Sequence, residues 1–170
     1  MTRLDPAEFR EFFGSIPTAV AVVTTVDPEG RPQGFTCNAF AAISPRPASL
    51  LISVDRNSRT LPSLLSRRAF VVHLLADDGE ETAQVFASRA VDKFAGLSWL
   101  PGEVSRDVPV LEKGVLAYAE CTLERTVETG DHQLLIARME AVRVHPRRPV
   151  LYQRGAFRAW DGLAEEAVQA

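Results

Sequence analysis

The sequence predicts a mainly β protein, a closed antiparallel barrel with a few short peripheral helices. Three observations lead there. Two long segments alternate at period two on either side of Gly130: Val115, Ala117, Ala119, Cys121, Leu123 and Val127 before it, Leu135, Ala137, Met139 and Ala141 after it. That is the pattern of two half-buried strands joined by a tight turn. Further β-rich segments recur between Gly, Pro and Asp punctuation while helical stretches stay few, which favours a barrel. Finally, 170 residues with 46% hydrophobic and 24% charged positions suffice for one domain with a sizeable core.

Each element has its own warrant. Asp5-Pro6-Ala7-Glu8 is a helix start, with an Asp cap, Pro at the first position and Glu three after the cap. Leu4, Phe9, Phe12 and Phe13 give that helix an apolar face. Thr18 to Val26 is a β-branched strand ended by the turn Asp27-Pro28-Glu29-Gly30. Strands are expected over Pro32 to Ile43, Ser49 to Val54 and Ala69 to Leu75, with a short helix over Ser58 to Ser66. Asp77 to Ser88 reads as a helix, acidic early and apolar at Ala83, Phe86 and Ala87. Gly96 to Pro109, with Trp99, reads as a loop. After the Gly130 hairpin the apolar phase slips at Val142 and Val144, as a β-bulge would cause. Val150–Tyr152 and Phe157–Trp160 form a closing strand pair. The domain is expected over residues 1–162, with 163–170 as a tail.

Composition excludes several classes. A net charge of -3 argues against a general nucleic-acid binder. No apolar run approaches the roughly 18–20 residues of a membrane span, and no secretory signal is visible at the N-terminus. The two distant cysteines, Cys37 and Cys121, fit a reducing cytoplasm, so a cytoplasmic protein is expected. Cys37 and Cys121 form no C-x-x-C pair, which disfavours a metal site or a disulfide framework. Cys121 falls on the apolar phase of its strand. His73 interrupts Phe70-Val71-Val72 and Leu74-Leu75 and reads as a hydrogen-bonded strand histidine.

Three segments carry chemistry. Gly130-Asp131-His132 puts an Asp-His pair at the mouth of a hairpin, where a rigid sheet presents an imidazole to a ligand. Gly34-Phe35-Thr36-Cys37-Asn38-Ala39-Phe40, ending at Ser44-Pro45-Arg46-Pro47, has strand character yet carries amide and hydroxyl groups suited to a heteroaromatic edge. Asn57-Ser58-Arg59-Thr60 opens a helix and offers free N–H groups, two hydroxyls and guanidinium charge to an anion. Neither a P-loop nor G-x-G-x-x-G occurs, so a Rossmann site is excluded.

In this order the pieces resemble the flavin reductase-like family, the small split-barrel reductases that serve flavin-dependent monooxygenases. The pieces are Gly34-x-Thr36-x-Asn38, Ser44 with Pro47, Asn57-Ser58-x-Thr60, Phe86-Ala87-Ser88, Lys93-Phe94-x-Gly96, Gly130-Asp131-His132 and Leu151-Tyr152-x-x-Gly155-x-Phe157. Ala48 departs from the family, which usually has a second proline there. The resemblance implies a split barrel binding FMN or FAD, with NADH or NADPH as co-substrate. It implies an isoalloxazine against Thr36–Asn38, a phosphate at Asn57–Thr60, and Lys93 and Phe94 closing over the flavin. Candidate flavin-binding residues are therefore Phe35, Thr36, Cys37, Asn38, Ser44, Ser53, Asn57, Ser58, Thr60, Lys93, Phe94, Asp131 and His132, with no metal. His132 is the candidate catalytic residue, an orienting group beside the nicotinamide whose tautomer Asp131 would fix.

The implied activity is NAD(P)H:flavin oxidoreductase, a hydride transfer that supplies diffusible reduced flavin to a separate monooxygenase from a homodimer. Two alternatives stay open here: a flavoprotein of the same fold that retains its flavin and reduces another acceptor, and a flavin sensor or store. A carrier of apolar ligands is disfavoured by the polar groups at Thr36, Asn38, Ser58 and Thr60.

Overall fold

The structure, a computed structural model, describes residues 4–162, so the expected tail 163–170 lies outside the described residues. In chain order the elements are α1 (Pro6–Gly14), β1 (Thr18–Ala19), β2 (Ala21–Val26), β3 (Pro32–Cys37), β4 (Phe40–Pro45), β5 (Ala48–Asp55), α2 (Leu61–Arg67), β6 (Ala69–Leu75), α3 (Glu80–Ala87), β7 (Trp99–Pro101), β8 (Pro109–Leu111), β9 (Val115–Thr129), β10 (His132–Val144), β11 (Val150–Gln153) and β12 (Ala156–Ala159). The fold is mainly β, as expected.

The main sheet has seven antiparallel strands in the order β3-β2-β6-β9-β10-β5-β4. Its long arm is the β9–β10 hairpin, and the predicted phase slip is a register shift between Met139 and Ala141. The expected single strand over Pro32 to Ile43 is two. β3 pairs with β2 and β4 pairs with β5, at opposite edges of the sheet. Asn38 and Ala39 form the corner between them, and Ala39 O accepts from Ser53 N at 2.8 Å. The chain itself thus carries one edge round to the other. Among the described residues no ladder joins β3 to β4, so the closed barrel is not seen as closed hydrogen bonding.

β2 is buried along its whole length because adjacent side chains serve two cores on opposite faces. Ala21 and Val23 pack with Ile52, Phe70 and Leu135, a cluster that α2 covers with Leu61 and Leu64. Val22 packs with Leu75, Leu111 and Val115, a cluster that α3 covers with Ala83 and Phe86. Full burial of each such large side chain stabilises the fold by about 1.5–3 kcal/mol.

The expected apolar face of α1 is present, and its start is the reciprocal capping box expected of Asp5 and Glu8; the helix buries none of its residues. Phe9, Phe12 and Phe13 stand more than half exposed. The helices α2 and α3 each begin later than predicted, because residues 58–60 and 77–79 are spent in turns. The loop over Gly96 to Pro109 contains β7, paired with β8. That hairpin is pinned to the sheet by three buried polar side chains on neighbouring strands. Thr24 Oγ1 donates to Pro109 O at 2.5 Å, and His73 Nε2 accepts from Leu111 N at 3.0 Å. Glu120 accepts from the N–H groups of Glu103, Val104 and Ser105 at 2.8–2.9 Å. His73 is therefore a satisfied strand histidine, as read from the sequence.

Candidate active site

The β9–β10 turn is the two-residue loop Gly130-Asp131 between Thr129 and His132. Gly130 has φ +56°, the positive value that the first position of a II′ turn demands. Asp131 O accepts from Arg56 N at 3.0 Å, which ties the hairpin tip to the end of β5. His132 sits opposite Asp55 in the ladder, and its Nδ1 meets Asp131 Oδ1 at 2.7 Å. That bond comes first among the causes that hold the Asp131 carboxyl below the ordinary carboxylate range. Nε2 is left for a ligand.

His132 lines a cavity of about 250 Å³ together with Phe35, Thr36, Cys37, Asn38 and Ser53. A second cavity of about 820 Å³ shares Phe35, Thr36, Asp55 and Ser58 with the first and runs on past Asn57 and Thr60 to Lys93 and Phe94. The two form one cleft bent round Ser58, and eleven of the thirteen candidate residues line it. The exceptions are Ser44, whose Oγ accepts from Arg46 N at 3.1 Å at the far end of β4, and Asp131, which reaches the cleft only through His132.

Local bonding decides what each residue can offer. The turn after β5 is set by Asp55: its Oδ1 accepts from Asn57 N at 2.7 Å and its carbonyl from Ser58 N at 2.9 Å. Ser58 Oγ accepts from Thr60 N at 3.3 Å, leaving its O–H to donate. Thr60 is buried, and its hydroxyl donates to Gly34 O at 3.5 Å. Thr36 Oγ1 donates its proton to Ala83 O at 2.6 Å, so toward a ligand it can only accept. Asn38 Nδ2 donates to Thr18 Oγ1 at 3.3 Å. Burial pushes the Cys37 thiol up to about 11, so it stays protonated and unreactive.

Lys93 Nζ bridges two walls, donating to Phe86 O at 2.7 Å and Gly34 O at 3.2 Å. Burial, and then the charge of Arg59, lower its pKa. Phe94 stacks edge-on to Phe86 at 5.1 Å. Gly34 is required by that wall: a Cβ there would stand 2.6 Å from Phe86 Cε1 and 2.9 Å from Val23 O.

The larger cavity is also lined by residues outside the candidate set: Arg59 and Ser88, which lay within the quoted segments, and Gln33, Arg89 and Val91, which did not. The guanidinium next to Ser58 was a signal for Arg59; nothing local marked Arg89, which α3 delivers from a distance. Donor groups at Asn57 and Ser58, a cationic wall of Arg59, Arg89 and Lys93, and the aromatic lining of Phe35, Phe86 and Phe94 suit a flavin phosphate and ring system.

Comparison with known proteins agrees. Residues 13–161 match the flavin reductase like domain. The NADH flavin reductase of Kitasatospora aureofaciens is 37% identical over 159 residues, which are 92% of this chain and 83% of that protein. The reductase component of the flavin-dependent trigonelline monooxygenase of Acinetobacter baylyi is 36% identical over 150 residues, 88% of this chain; the chain spans only 47% of that longer relative. Among solved structures, the NADH:FAD oxidoreductase SgcE6 of Streptomyces globisporus, in complex with NAD and FAD fragments, superposes with a TM-score of 0.85 at 32% identity. The match covers 98% of this chain and 99% of that one.

Proposed function

Since the chain belongs to the flavin reductase-like domain family, we propose that it is an NAD(P)H-dependent flavin reductase that supplies reduced FMN or FAD to a separate monooxygenase. The observation that carries the reading is the bent cleft itself, with a histidine in one arm and phosphate donors in the other.

A bound flavin supplies the hydride acceptor; the chain's residues supply orientation and a partly dry slot. The Ser58 hydroxyl and the Asn57 side-chain amide hold the phosphate; the free N–H groups expected of this turn are not on offer at Asn57, Ser58 and Thr60, which spend theirs on Asp55 and Ser58. Phe35, Thr36 and Asn38 lie along the ring, and Lys93 and Phe94, in the larger arm, close over the flavin from its phosphate side. His132 positions the nicotinamide so that the reacting atoms come within about 3–3.5 Å. Its imidazole orients without exchanging a proton in the chemical step, and Asp131 holds it in register. A flavin store has no use for such a group, so the Asp131-His132 pair favours the reductase.

The exposed Leu4, Phe9, Phe12 and Phe13 support a homodimer, because an apolar helix face of this kind is unfavourable in water. Two buried unpaired thiols, Cys37 and Cys121, suit a reducing cytoplasm. The deciding experiment mixes the purified chain anaerobically with each flavin and each nicotinamide and follows bleaching of the oxidised flavin. Failure of both nicotinamides to bleach a bound flavin would overturn the reductase and leave the store.

A further inference from the structure

The cleft is asymmetric about the phosphate turn. The arm with His132 encloses about 250 Å³, while the arm beyond Ser58 encloses about 820 Å³. If the ring lies along Phe35–Asn38 and the first phosphate meets Asn57 and Ser58, a mononucleotide ends at the turn. The space between Arg59 and the Ser88–Val91 segment would then have no ligand group to fill it.

That space is cationic. Arg59, Arg89 and Lys93 line it, and Asp55 is the one carboxylate among the lining residues, with Oδ1 already accepting from Asn57 N. Arg59 donates one N–H to Ala90 O at 3.3 Å, which holds its guanidinium across the cavity mouth beside the segment that carries Arg89. Lys93 feels the repulsion of Arg59 as well as its own burial. An anion seated among the three relieves that repulsion, and two guanidinium forks suit phosphate oxygens.

We propose that this arm receives the adenosine diphosphate half of FAD, with Arg59 and Arg89 gripping its second phosphate, so that FAD and not FMN is the preferred flavin. The inference rests on the flavin reductase reading. Arg59 and Arg89 are then specificity-determining residues: each contributes to FAD binding and little to FMN binding. Both are exposed, so their truncation leaves the core intact.

The test is titration of the purified chain with FAD, FMN and riboflavin, following quenching of flavin fluorescence. FAD is expected to bind about tenfold or more tighter than FMN. Arg59→Ala and Arg89→Ala should each weaken FAD about tenfold and change FMN less than about threefold. Arg89→Lys, which keeps the charge but loses the fork, should fall between. Equal affinities for FAD and FMN, or equal losses for both in the arginine variants, would overturn the inference and leave the reductase reading standing. Absence of binding by any flavin would overturn both.

Discussion

His73 predicts how this protein loses stability in acid. Its side chain is fully buried. Nδ1 lies 3.1 Å from Val22 O, which only accepts, and Nε2 lies 3.0 Å from Leu111 N, which only donates. One neutral tautomer satisfies both neighbours, with the proton on Nδ1. A second proton would bury a charge and aim an N–H at another N–H. Burial accordingly lowers the pKa from 6.5 to about 4, against the smaller opposing effect of the Val22 bond. Between those values the unfolded chain takes up a proton that the folded chain refuses. The unfolded state binds more protons there, so stability falls as pH drops from 6.5 and this contribution levels off near 4. At about 1.4 kcal/mol per decade, the whole window is worth roughly 3 kcal/mol. Urea unfolding of the wild type and of His73→Gln at pH 7 and pH 4.5, followed by tryptophan fluorescence, isolates the term. His73→Gln should be less stable at pH 7, yet should lose about 2–3 kcal/mol less on acidification than the wild type. Parallel losses in the two proteins would refute the buried neutral imidazole.

Changing His132→Ala should leave flavin affinity nearly intact and slow flavin reduction about 100-fold in single-turnover stopped flow; a normal rate with a lowered melting point would make His132 a turn residue only. Ser58→Ala should weaken flavin binding by about 1.5–3 kcal/mol through loss of a charge-assisted phosphate contact. Thr60→Ala, whose hydroxyl points inward to Gly34 O, should instead cost about 1 kcal/mol of stability, read by denaturant unfolding, with affinity preserved. Light scattering should show a dimer for the wild type and a monomer for the double variant Phe9→Glu, Phe12→Glu; a wild-type monomer with full reductase activity would remove the interface.

Alternation, turn chemistry and capping are properties of neighbours along the chain, so the elements that depend on them can be read directly from the residues. The Gly130 hairpin, the Asp5 capping box, strand β6 over Ala69–Leu75 and the bulge near Ala141 were all legible in this way. The polar segments at Thr36–Asn38 and Asn57–Thr60 were legible too, because polar side chains in a strand context need a reason. Relations between distant segments were decided by the tertiary structure. Asn38 and Ala39 break one apparent strand into two because the halves find partners on opposite sheet edges, β2 and β5. β7 and β8 form because Thr24, His73 and Glu120, on three separate strands, accept or donate to that hairpin's backbone. Arg89 joins the cleft only because α3 packs against β2 and β3. Thr60 lines the cleft with its neighbours, yet its buried hydroxyl is engaged with Gly34 O across the wall, a contact no local pattern announces. Local residue preferences act over a few positions; where a side chain points, and what it meets there, is set by packing of the whole sheet.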